Sequence, residues 1–484
     1  MWKNIRFVLA LCCIIGFIVL FVDQSENNKF AQNFVWLVQL QLVPAILKGS
    51  IFIVIALIIL TIIFGRIYCS VICPFGLLQD ILISFRGNKK FNYSVAHNVL
   101  RYIFLIIFIL SFFIGLPFIF NLLEPYSAFG RIATDLINPI IALVNNGVEF
   151  ITRSFDSPLV VLKPVFIKGN AALFASILTL IVIFYLVIKN GRTWCNIICP
   201  VGTFLGFISR FSFIHPRIDN QKCSNCRKCE SVCKAACIDI ERSNIDLSRC
   251  VACFNCKDVC KFGALDFSWK SIGDKNFKID RRKMFLGGII SLFAHSSLAR
   301  AASDHADEEN IAATKYKEKR SYKYPLLPPG AQNANHFSVR CTGCQLCVSN
   351  CPNDVLRSRD NGNGMFQPSM HFEYGFCRTN CVNCSQVCPT GAIVKISKEE
   401  KTAIQVGRAK VNHENCIVKI DNVPCSACKK SCPTGAISLV GDGKLKVPAV
   451  NEEKCTGCGA CEYHCPARPF AAIQVEANLD HKKI

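Results

Sequence analysis

The chain has 484 residues, which is room for about three domains of ordinary size. Hydrophobic residues make up 51% of it and concentrate in the first 190 positions, so the front of the chain is expected to face lipid. Its 31 cysteines are too many and too regularly spaced for the disulfide framework of a small secreted protein. The net charge of +21 suggests a nucleic acid or an anionic lipid surface, but no nucleic-acid-binding module is recognisable.

Four apolar stretches have the length of about 17 to 25 residues that a membrane-spanning helix requires. They are residues 5–22, 48–64, 101–120 and 171–188. We therefore expect residues 1–205 to form an all-α membrane domain of four transmembrane helices. No small-residue cleavage site follows the first stretch, so that stretch is expected to stay as an anchor.

Basic residues in the loops predict how this domain is oriented. The loop at 66–101 carries five basic residues and one acidic residue, whereas the loop at 121–170 balances four basic with four acidic residues. We therefore expect the first loop, and with it both ends of the four-helix domain, on the cytoplasmic side of a bacterial inner membrane.

One motif occurs twice, as GRIYCSVICPFG at 65–76 and as GRTWCNIICPVG at 191–202, after the second and fourth apolar stretches. The two cysteines of each copy are four residues apart and are expected to share a helix face, and the following proline favours a helix end. These four cysteines are expected to converge near the inner membrane surface, and they are Cys69, Cys73, Cys195 and Cys199. Two interpretations remain open, namely a redox or metal site, and packing residues at a helix end.

Residues 206–275 contain two copies of C-x2-C-x2-C-x3-C, the pattern of bacterial ferredoxins in which the fourth cysteine binds the neighbouring cluster. The pattern predicts a cytoplasmic α+β domain with two 4Fe-4S clusters. The crossed rule gives the ligand sets Cys223, Cys226, Cys229 and Cys260 for one cluster, and Cys250, Cys253, Cys256 and Cys233 for the other. An additional cysteine, Cys237, is expected to be buried and unligated.

Residues 276–302 carry RRKMFL followed by a short apolar run, which is typical of a twin-arginine export signal. A domain that receives its clusters where it is synthesised has to cross the membrane folded, and this route permits that. The alternative is a fifth transmembrane helix, and both interpretations place the rest of the chain in the periplasm. Residues 303–335 are charged and then proline-rich, and they are expected to form a linker.

Residues 336–484 contain four more cysteine tetrads, each ending in Cys-Pro, and they predict a periplasmic domain with four 4Fe-4S clusters. Exchange of the fourth cysteine between sequence neighbours gives the sets Cys341, Cys344, Cys347 and Cys388; Cys377, Cys381, Cys384 and Cys351; Cys416, Cys425, Cys428 and Cys465; and Cys455, Cys458, Cys461 and Cys432. Zinc sites rarely repeat in this form. Six clusters of about −2 each would offset about 12 of the 21 excess positive charges.

The motifs together resemble two families of ferredoxin-type proteins. Residues 1 to about 270 look like NapH of the periplasmic nitrate reductase system, and the segment from about 280, with RRKMFL, LLPPGAQ and the four tetrads, looks like NapG and its methylamine-utilisation relative MauM. The resemblance implies a membrane quinol dehydrogenase that passes electrons from the quinol pool to a periplasmic reductase or cytochrome. An alternative is a maturation factor that supplies electrons for assembly of a periplasmic metalloenzyme.

The sequence contains no C-x-x-C-H motif, so covalent c-type haem is not expected. The predicted helices also offer no histidine pair that would ligate haem between the two sets of clusters. How electrons pass between the two sets is therefore left open by the sequence.

Overall fold

The structure is a computed structural model that describes residues 2–22, 33–87, 90–153, 169–269, 324–360, 364–441 and 445–484. The predicted twin-arginine segment at 276–302 lies outside the described residues.

Residues 2–209 form a helical domain. Its elements in chain order are α1 (Trp2–Val22), α2 (Val35–Gln39), α3 (Leu42–Lys48), α4 (Ile51–Phe64), α5 (Tyr68–Val71), α6 (Pro74–Ser84), α7 (Asn98–Ile114), α8 (Pro117–Leu123), α9 (Pro125–Ile132), a π-helix (Ala133–Ile137), α10 (Asn138–Arg153), α11 (Asn170–Asn190), a second π-helix (Trp194–Ile198) and α12 (Pro200–Ser209).

Within the described ranges, three helical stretches are long and apolar enough to cross a membrane, namely Trp2–Val22, Pro125–Val148 and Asn170–Asn190. The first and third correspond to predicted spans. The predicted spans 48–64 and 101–120 are shorter helices of 14 and 17 residues. Gly49 and Gly115 adopt left-handed conformations, with φ of 76° and 77°, and interrupt the chain inside these two predictions.

The span at Pro125–Val148 was not predicted, because its mean hydropathy of 1.3 is well below the 2.9 and 2.8 of the other two. Its polar side chains are buried against protein, and 61% of the stretch is enclosed. A hydropathy pattern cannot distinguish such a protein-facing helix from a surface segment.

The helices on either side of one motif copy pack against those of the other copy. Helix α4, which precedes the first copy, packs on α12, which begins in the second. Helix α11, which precedes the second copy, packs on α6, which begins in the first. The backbone N–H of Phe213 donates to the carbonyl of Ile62 at 2.8 Å and fixes one of these crossings. The duplicated sequence therefore forms one interlocked body.

Residues 214–269, here the N-terminal cysteine unit, combine short helices with two small antiparallel sheets. The elements are β1 (Ile214–Ile218), α13 (Lys228–Ser231), β2 (Ile238–Asp239), β3 (Asn244–Ile245), α14 (Asn255–Val259) and β4 (Leu265–Trp269). Strand β1 pairs with β4, and β2 pairs with β3.

Residues 324–484, here the C-terminal cysteine unit, follow the same design on a larger scale. The elements are α15 (Ala334–Arg340), α16 (Leu346–Ser349), β5 (Leu356–Ser358), β6 (Pro368–Met370), α17 (Asn383–Val387), α18 (Lys398–Thr402), β7 (Ile404–Val411), a 3-10 turn (His413–Asn415), α19 (Ile417–Ile420), α20 (Ala427–Ser431), β8 (Ile437–Val440), β9 (Val447–Val450), α21 (Ala460–His464) and β10 (Ile473–Lys483). The antiparallel pairs are β5 with β6, β7 with β10, and β8 with β9.

The two cysteine units contact opposite ends of α1. At its start, the ring of Trp2 stacks on Phe254 of the N-terminal cysteine unit, with centroids 6.3 Å apart. At its end, the carbonyl of Leu20 accepts a hydrogen bond from Asn350 Nδ2 of the C-terminal cysteine unit at 2.8 Å. Helical rise puts these ends about 28 Å apart, close to the ~30 Å hydrocarbon core of a bilayer.

Candidate iron-sulfur and redox centres

The N-terminal cysteine unit brings its eight predicted ligands into two groups. One complete crossed set, Cys223, Cys226, Cys229 and Cys260, lines a single small pocket. In the other group, Cys256 interacts electrostatically with Cys253, Cys250 and Cys233. The fourth cysteine of each run therefore lies with the other run, as the crossed pattern requires.

Cys237 is buried beside this second group. Its Sγ lies 3.6 Å from Cys233 Sγ, and its thiol also interacts with Cys250. It therefore contacts the predicted ligands themselves, which its place in the sequence did not reveal.

The tetrads that open with x2-x2 share one backbone conformation. The second residue after the first cysteine and the residue after the second cysteine have positive φ, as at Asn225 and Arg227, with φ of 52° and 54°. The corresponding positions in the other three such tetrads are Ala252, Phe254, Gly343, Gln345, Gly457 and Gly459. Left-handed residues between ligands turn backbone N–H groups toward the enclosed space, where they meet anionic sulfur.

The C-terminal cysteine unit assembles its predicted sets in the same way. One small pocket is lined by Cys351, Cys377, Cys381 and Cys384, and another is lined by Cys416, Cys425, Cys428 and Cys465. The cysteines of the remaining two sets are near enough to interact electrostatically. Cys347 interacts with Cys341, Cys344 and Cys388, and Cys461 interacts with Cys455, Cys458 and Cys432.

In the part of the chain that the structure describes, no three Cys, His, Asp or Glu side chains lie close enough together to hold a metal ion. This holds for the ferredoxin tetrads and for the repeated motif alike.

The four C-terminal groups adjoin one another. Cys347 and Cys384, from the first and second groups, border the same small hydrophobic cluster. The backbone N–H of Cys377, in the second group, donates to the carbonyl of Cys458 in the fourth at 2.9 Å. The first group is in contact with the helical domain, because Cys344 is part of that domain's hydrophobic core.

A buried lysine lies beside the second C-terminal group. Lys401 Nζ donates to the carbonyl oxygens of Arg378, at 2.6 Å, and Cys381. Burial on its own lowers the pKa of the ammonium group, but the neighbouring thiolates of Cys377 and Cys384 outweigh it and leave the pKa raised. Lys401 is therefore a fixed positive charge beside these sulfurs.

The four cysteines of the repeated motif are all buried, between 3% and 5% exposed. Cys73 and Cys199 are extended, with ψ of 115° and 117°, and each is the N-cap of the helix that begins at the next proline. The predicted shared helix face is therefore wrong, because a residue before proline is disfavoured in the helical conformation. Cys199 Sγ instead accepts a hydrogen bond from the N–H of Gly202 at 3.3 Å.

Arginines hold the two copies of the motif together. Arg66 of the first copy donates to the carbonyl of Cys195 in the second at 2.9 Å, and Arg192 of the second donates to the carbonyl of Cys69 in the first at 2.7 Å. A Cβ at Gly76 or Gly202 would lie 2.1 Å from these same carbonyl oxygens. The repeated Gly-Arg and Pro-x-Gly residues thus build a single centre with approximate two-fold symmetry.

A group of buried polar atoms without hydrogen-bond partners lies where α8, α9 and the C-terminal cysteine unit meet. The unpaired atoms are Asn121 Nδ2 and Oδ1, Tyr126 Oη, Ser127 Oγ, Arg131 Nε and Nη2, Thr134 Oγ1, Thr342 Oγ1 and Gln345 Oε1. Tyr126 and Arg131 both interact electrostatically with Cys344, and the buried carboxylate of Glu124 interacts with both. These residues were not among the predicted site residues. The sequence feature that marks them is the run of polar residues at 121–135 inside an apolar region.

Family models for iron-sulfur proteins match much of the chain. A model described as a 4Fe-4S binding domain matches residues 49–92 and again 171–218, each of which contains one copy of the repeated motif. Models described as 4Fe-4S dicluster domains match residues 340–392 and 423–468, and residues 246–355. Several 4Fe-4S domains are therefore present in this one chain.

Known proteins resemble the C-terminal half. The methylamine utilization ferredoxin-type protein MauM of Methylorubrum extorquens is 32% identical over 169 residues, which cover 32% of this chain and 75% of that protein. MauM of Methylobacillus flagellatus is 36% identical over 158 residues, or 31% of this chain and 67% of that protein. The ferredoxin-type protein NapG of Escherichia coli is 31% identical over 154 residues, or 29% of this chain and 65% of that protein. The predicted likeness to MauM and NapG is confirmed for this half, and the chain belongs to their family of ferredoxin-type iron-sulfur electron-transfer proteins.

Proposed function

We propose that this chain is a membrane quinol dehydrogenase component that passes electrons from the quinol pool to a periplasmic reductase or cytochrome. The observation that carries the proposal is the attachment of the two cysteine units to opposite ends of α1, about 28 Å apart. Three helices long enough to span a membrane and the relationship to MauM and NapG support it. The N-terminal cysteine unit would face the cytoplasm and the C-terminal one the periplasm, in keeping with the basic loop at 66–101.

Six 4Fe-4S clusters are proposed, one for each crossed set of four cysteines. The three pockets lined by complete sets support this assignment. When bound, the clusters supply one-electron carriers. The contacts between the C-terminal groups, from Cys347 to Cys384 and from Cys377 to Cys458, give a continuous series that leads away from the helical domain.

The third C-terminal group, which contains Cys425, presents a surface suited to a redox partner. Ile420 and Val423 are exposed in this segment, 58% and 48%, and so are Lys429 and Lys430. Exposed apolar and basic side chains fit a partner with an acidic surface, and we propose that the periplasmic reductase or cytochrome docks there.

The quinol headgroup is proposed to bind among the unpaired polar atoms beside Cys344. Each buried polar atom without a partner costs about 1 to 3 kcal/mol, and a ligand with two hydroxyl groups removes that cost. Tyr126 and Arg131 would bind and orient the headgroup. Oxidation of a quinol releases two electrons and two protons, and the buried carboxylate of Glu124 is a base for one of those protons.

Phenylalanine in place of Tyr126 tests this binding site. The change removes only the unpaired hydroxyl, and loss of one hydrogen bond to the headgroup is expected to lower the rate of cluster reduction by duroquinol about tenfold. The rate is measured anaerobically by stopped-flow absorbance of the intact protein. Reduction by dithionite should be unchanged. Tyr185→Phe, on the exposed face of α11, is the matched control.

An unchanged rate of cluster reduction in Tyr126→Phe would show that quinol binds elsewhere. No reduction of the wild-type protein by any quinol would overturn the proposed function and favour the maturation factor, which requires no quinol turnover.

The fixed charge of Lys401 should set the potential of the neighbouring cluster. Lys401→Gln is expected to lower that potential by on the order of 100 mV, taking Coulomb's law over about 7 Å with an effective dielectric constant of about 20, because an added electron loses its counter-charge. A redox titration followed by EPR measures the shift. Lys398→Gln, exposed on the same helix, should leave all potentials unchanged, and an unchanged potential in Lys401→Gln would contradict the assignment.

A further inference from the structure

The four repeat cysteines, Cys69, Cys73, Cys195 and Cys199, lie between the two cysteine units. The hydrophobic core around them is continuous and contains Val251 of the N-terminal unit and Cys344 of the C-terminal unit. Their level along α1 is marked by Arg6, which donates to the carbonyl of Ser70 at 3.3 Å. They therefore occupy the interval of about 28 Å that separates the two units.

Both sides of this centre are in contact with predicted cluster ligands. Toward the N-terminal unit, Arg66 donates to the carbonyl of Ser248 at 3.0 Å, two residues before Cys250. The backbone N–H of Arg192 donates to the carbonyl of Lys234, next to Cys233, at 2.8 Å. Each Gly-Arg pair thus touches a different ligand loop of the same predicted cluster.

Toward the C-terminal unit, the connection runs through two tyrosines. Tyr68 interacts electrostatically with Cys73 and Cys69 on one side and with Glu124 on the other. Glu124 interacts in turn with Tyr126, which interacts with Cys344. Tyr68, Tyr126 and Cys344 belong to the same hydrophobic core as Cys69 and Cys73, so buried residues connect the repeat cysteines with both units.

Basic side chains outnumber acidic ones around the four sulfurs. Arg66 is fully buried, and its hydrogen bonds go to Asn196 Oδ1, to the carbonyls of Ser248 and Cys195, and to Cys69 Sγ, none of which is a carboxylate. One carboxylate, that of Asp80, is shared by Arg6, Arg192 and Lys234. A buried guanidinium without an anion costs several kcal/mol, so anionic sulfur is the expected partner.

The sulfurs also receive hydrogen bonds that suit thiolates. Gln79 Nε2 donates to Cys195 Sγ at 3.1 Å, and the N–H of Gly202 donates to Cys199 Sγ at 3.3 Å. Four buried cysteines in a cationic, N–H-rich setting match the donor set of iron-sulfur centres and of zinc. Iron is favoured, because each copy of the motif lies within a match to a 4Fe-4S binding domain.

We propose that the four repeat cysteines bind a seventh iron-sulfur centre, which relays single electrons between the N-terminal and C-terminal cysteine units. This relay rests on the proposed function. In each step one iron of the centre gains one electron from a reduced cluster of one unit and then loses it to an oxidised cluster of the other. No bond to a substrate forms and no proton is required.

The first test counts iron in the intact, anaerobically purified chain. Six 4Fe-4S clusters account for about 24 iron atoms. A seventh centre adds at least two, and Cys195→Ser should lose that increment together with one Mössbauer component. Cys12→Ala, an exposed cysteine of α1, should lose nothing. Zinc in place of the extra iron, or only about 24 iron atoms in the wild-type chain, would overturn the proposal.

The second test separates the relay from quinol oxidation. In Cys195→Ser, duroquinol should still reduce the four C-terminal clusters at the wild-type rate, while reduction of the two N-terminal clusters slows at least a hundredfold; freeze-quench EPR distinguishes the two sets. Equal slowing of both sets, or none, would overturn the relay. Absence of any quinol reduction in the wild-type protein would instead count against the proposed function.

Discussion

Alanine at position 130 is expected to separate the C-terminal cysteine unit from the helical domain. Gly130 of α9 lies against the backbone at Cys344, and a Cβ there would be 2.1 Å from the carbonyl oxygen and 3.0 Å from the carbonyl carbon. Backbone atoms cannot move aside as a flexible side chain can, so the contact has to open. We expect duroquinol-dependent reduction of the C-terminal clusters to fall more than tenfold, because Cys344 borders the proposed quinol site.

The separation is measured by limited proteolysis in detergent and by stopped-flow reduction, with dithionite as the reference reductant. Gly147→Ala is the control, because no atom lies within 4 Å of its Cβ position in α10. Wild-type rates in Gly130→Ala would show that this packing is not required for electron entry.

Asparagine at position 80 is expected to destabilise the helical domain by about 3 to 5 kcal/mol. The Asp80 carboxylate lies 3.3 Å from Arg6, 2.8 Å from Arg192 and 3.3 Å from Lys234. These cations belong to α1, to the second copy of the motif and to the N-terminal cysteine unit. Asp80→Asn would leave all three partly buried charges without a counterion.

Thermal unfolding of the detergent-solubilised protein, followed by tryptophan fluorescence, measures the loss. Asp258→Asn provides the comparison, because the Lys3–Asp258 ion pair joins the same two regions at the exposed surface, where such a pair contributes about 0 to 1 kcal/mol. Equal stabilities of the two variants would contradict a central role for Asp80.

Local patterns in the sequence were informative where a feature depends on nearby residues. The spacing of cysteines such as Cys223 to Cys233 predicts iron-sulfur ligands, because each cluster is held largely by one short turn. Hydropathy predicted the helix at Asn170–Asn190 but overextended the one that ends at Gly115, where a left-handed glycine stops it. It also missed Pro125–Val148, whose polar side chains are covered by other parts of the chain.

The repeated motif also combines features that nearby residues determine with features that distant residues determine. Its duplication predicted that the four cysteines converge, yet the placement of Cys73 and Cys199 as N-caps and the exchange of Arg66 and Arg192 between the copies required the tertiary structure. Contacts between residues some 130 positions apart leave no periodic signal in one sequence.

The sequence by itself determined the chemistry of this protein: iron-sulfur ligands in tetrads, apolar helices and a duplicated pair of cysteines. Only the tertiary structure decided where these elements lie, with one cysteine unit at Trp2, the other at Leu20, and four buried sulfurs between them. The physical reason is that ligand spacing and hydropathy are local properties of the chain. The position of a redox centre is instead set by packing among distant segments.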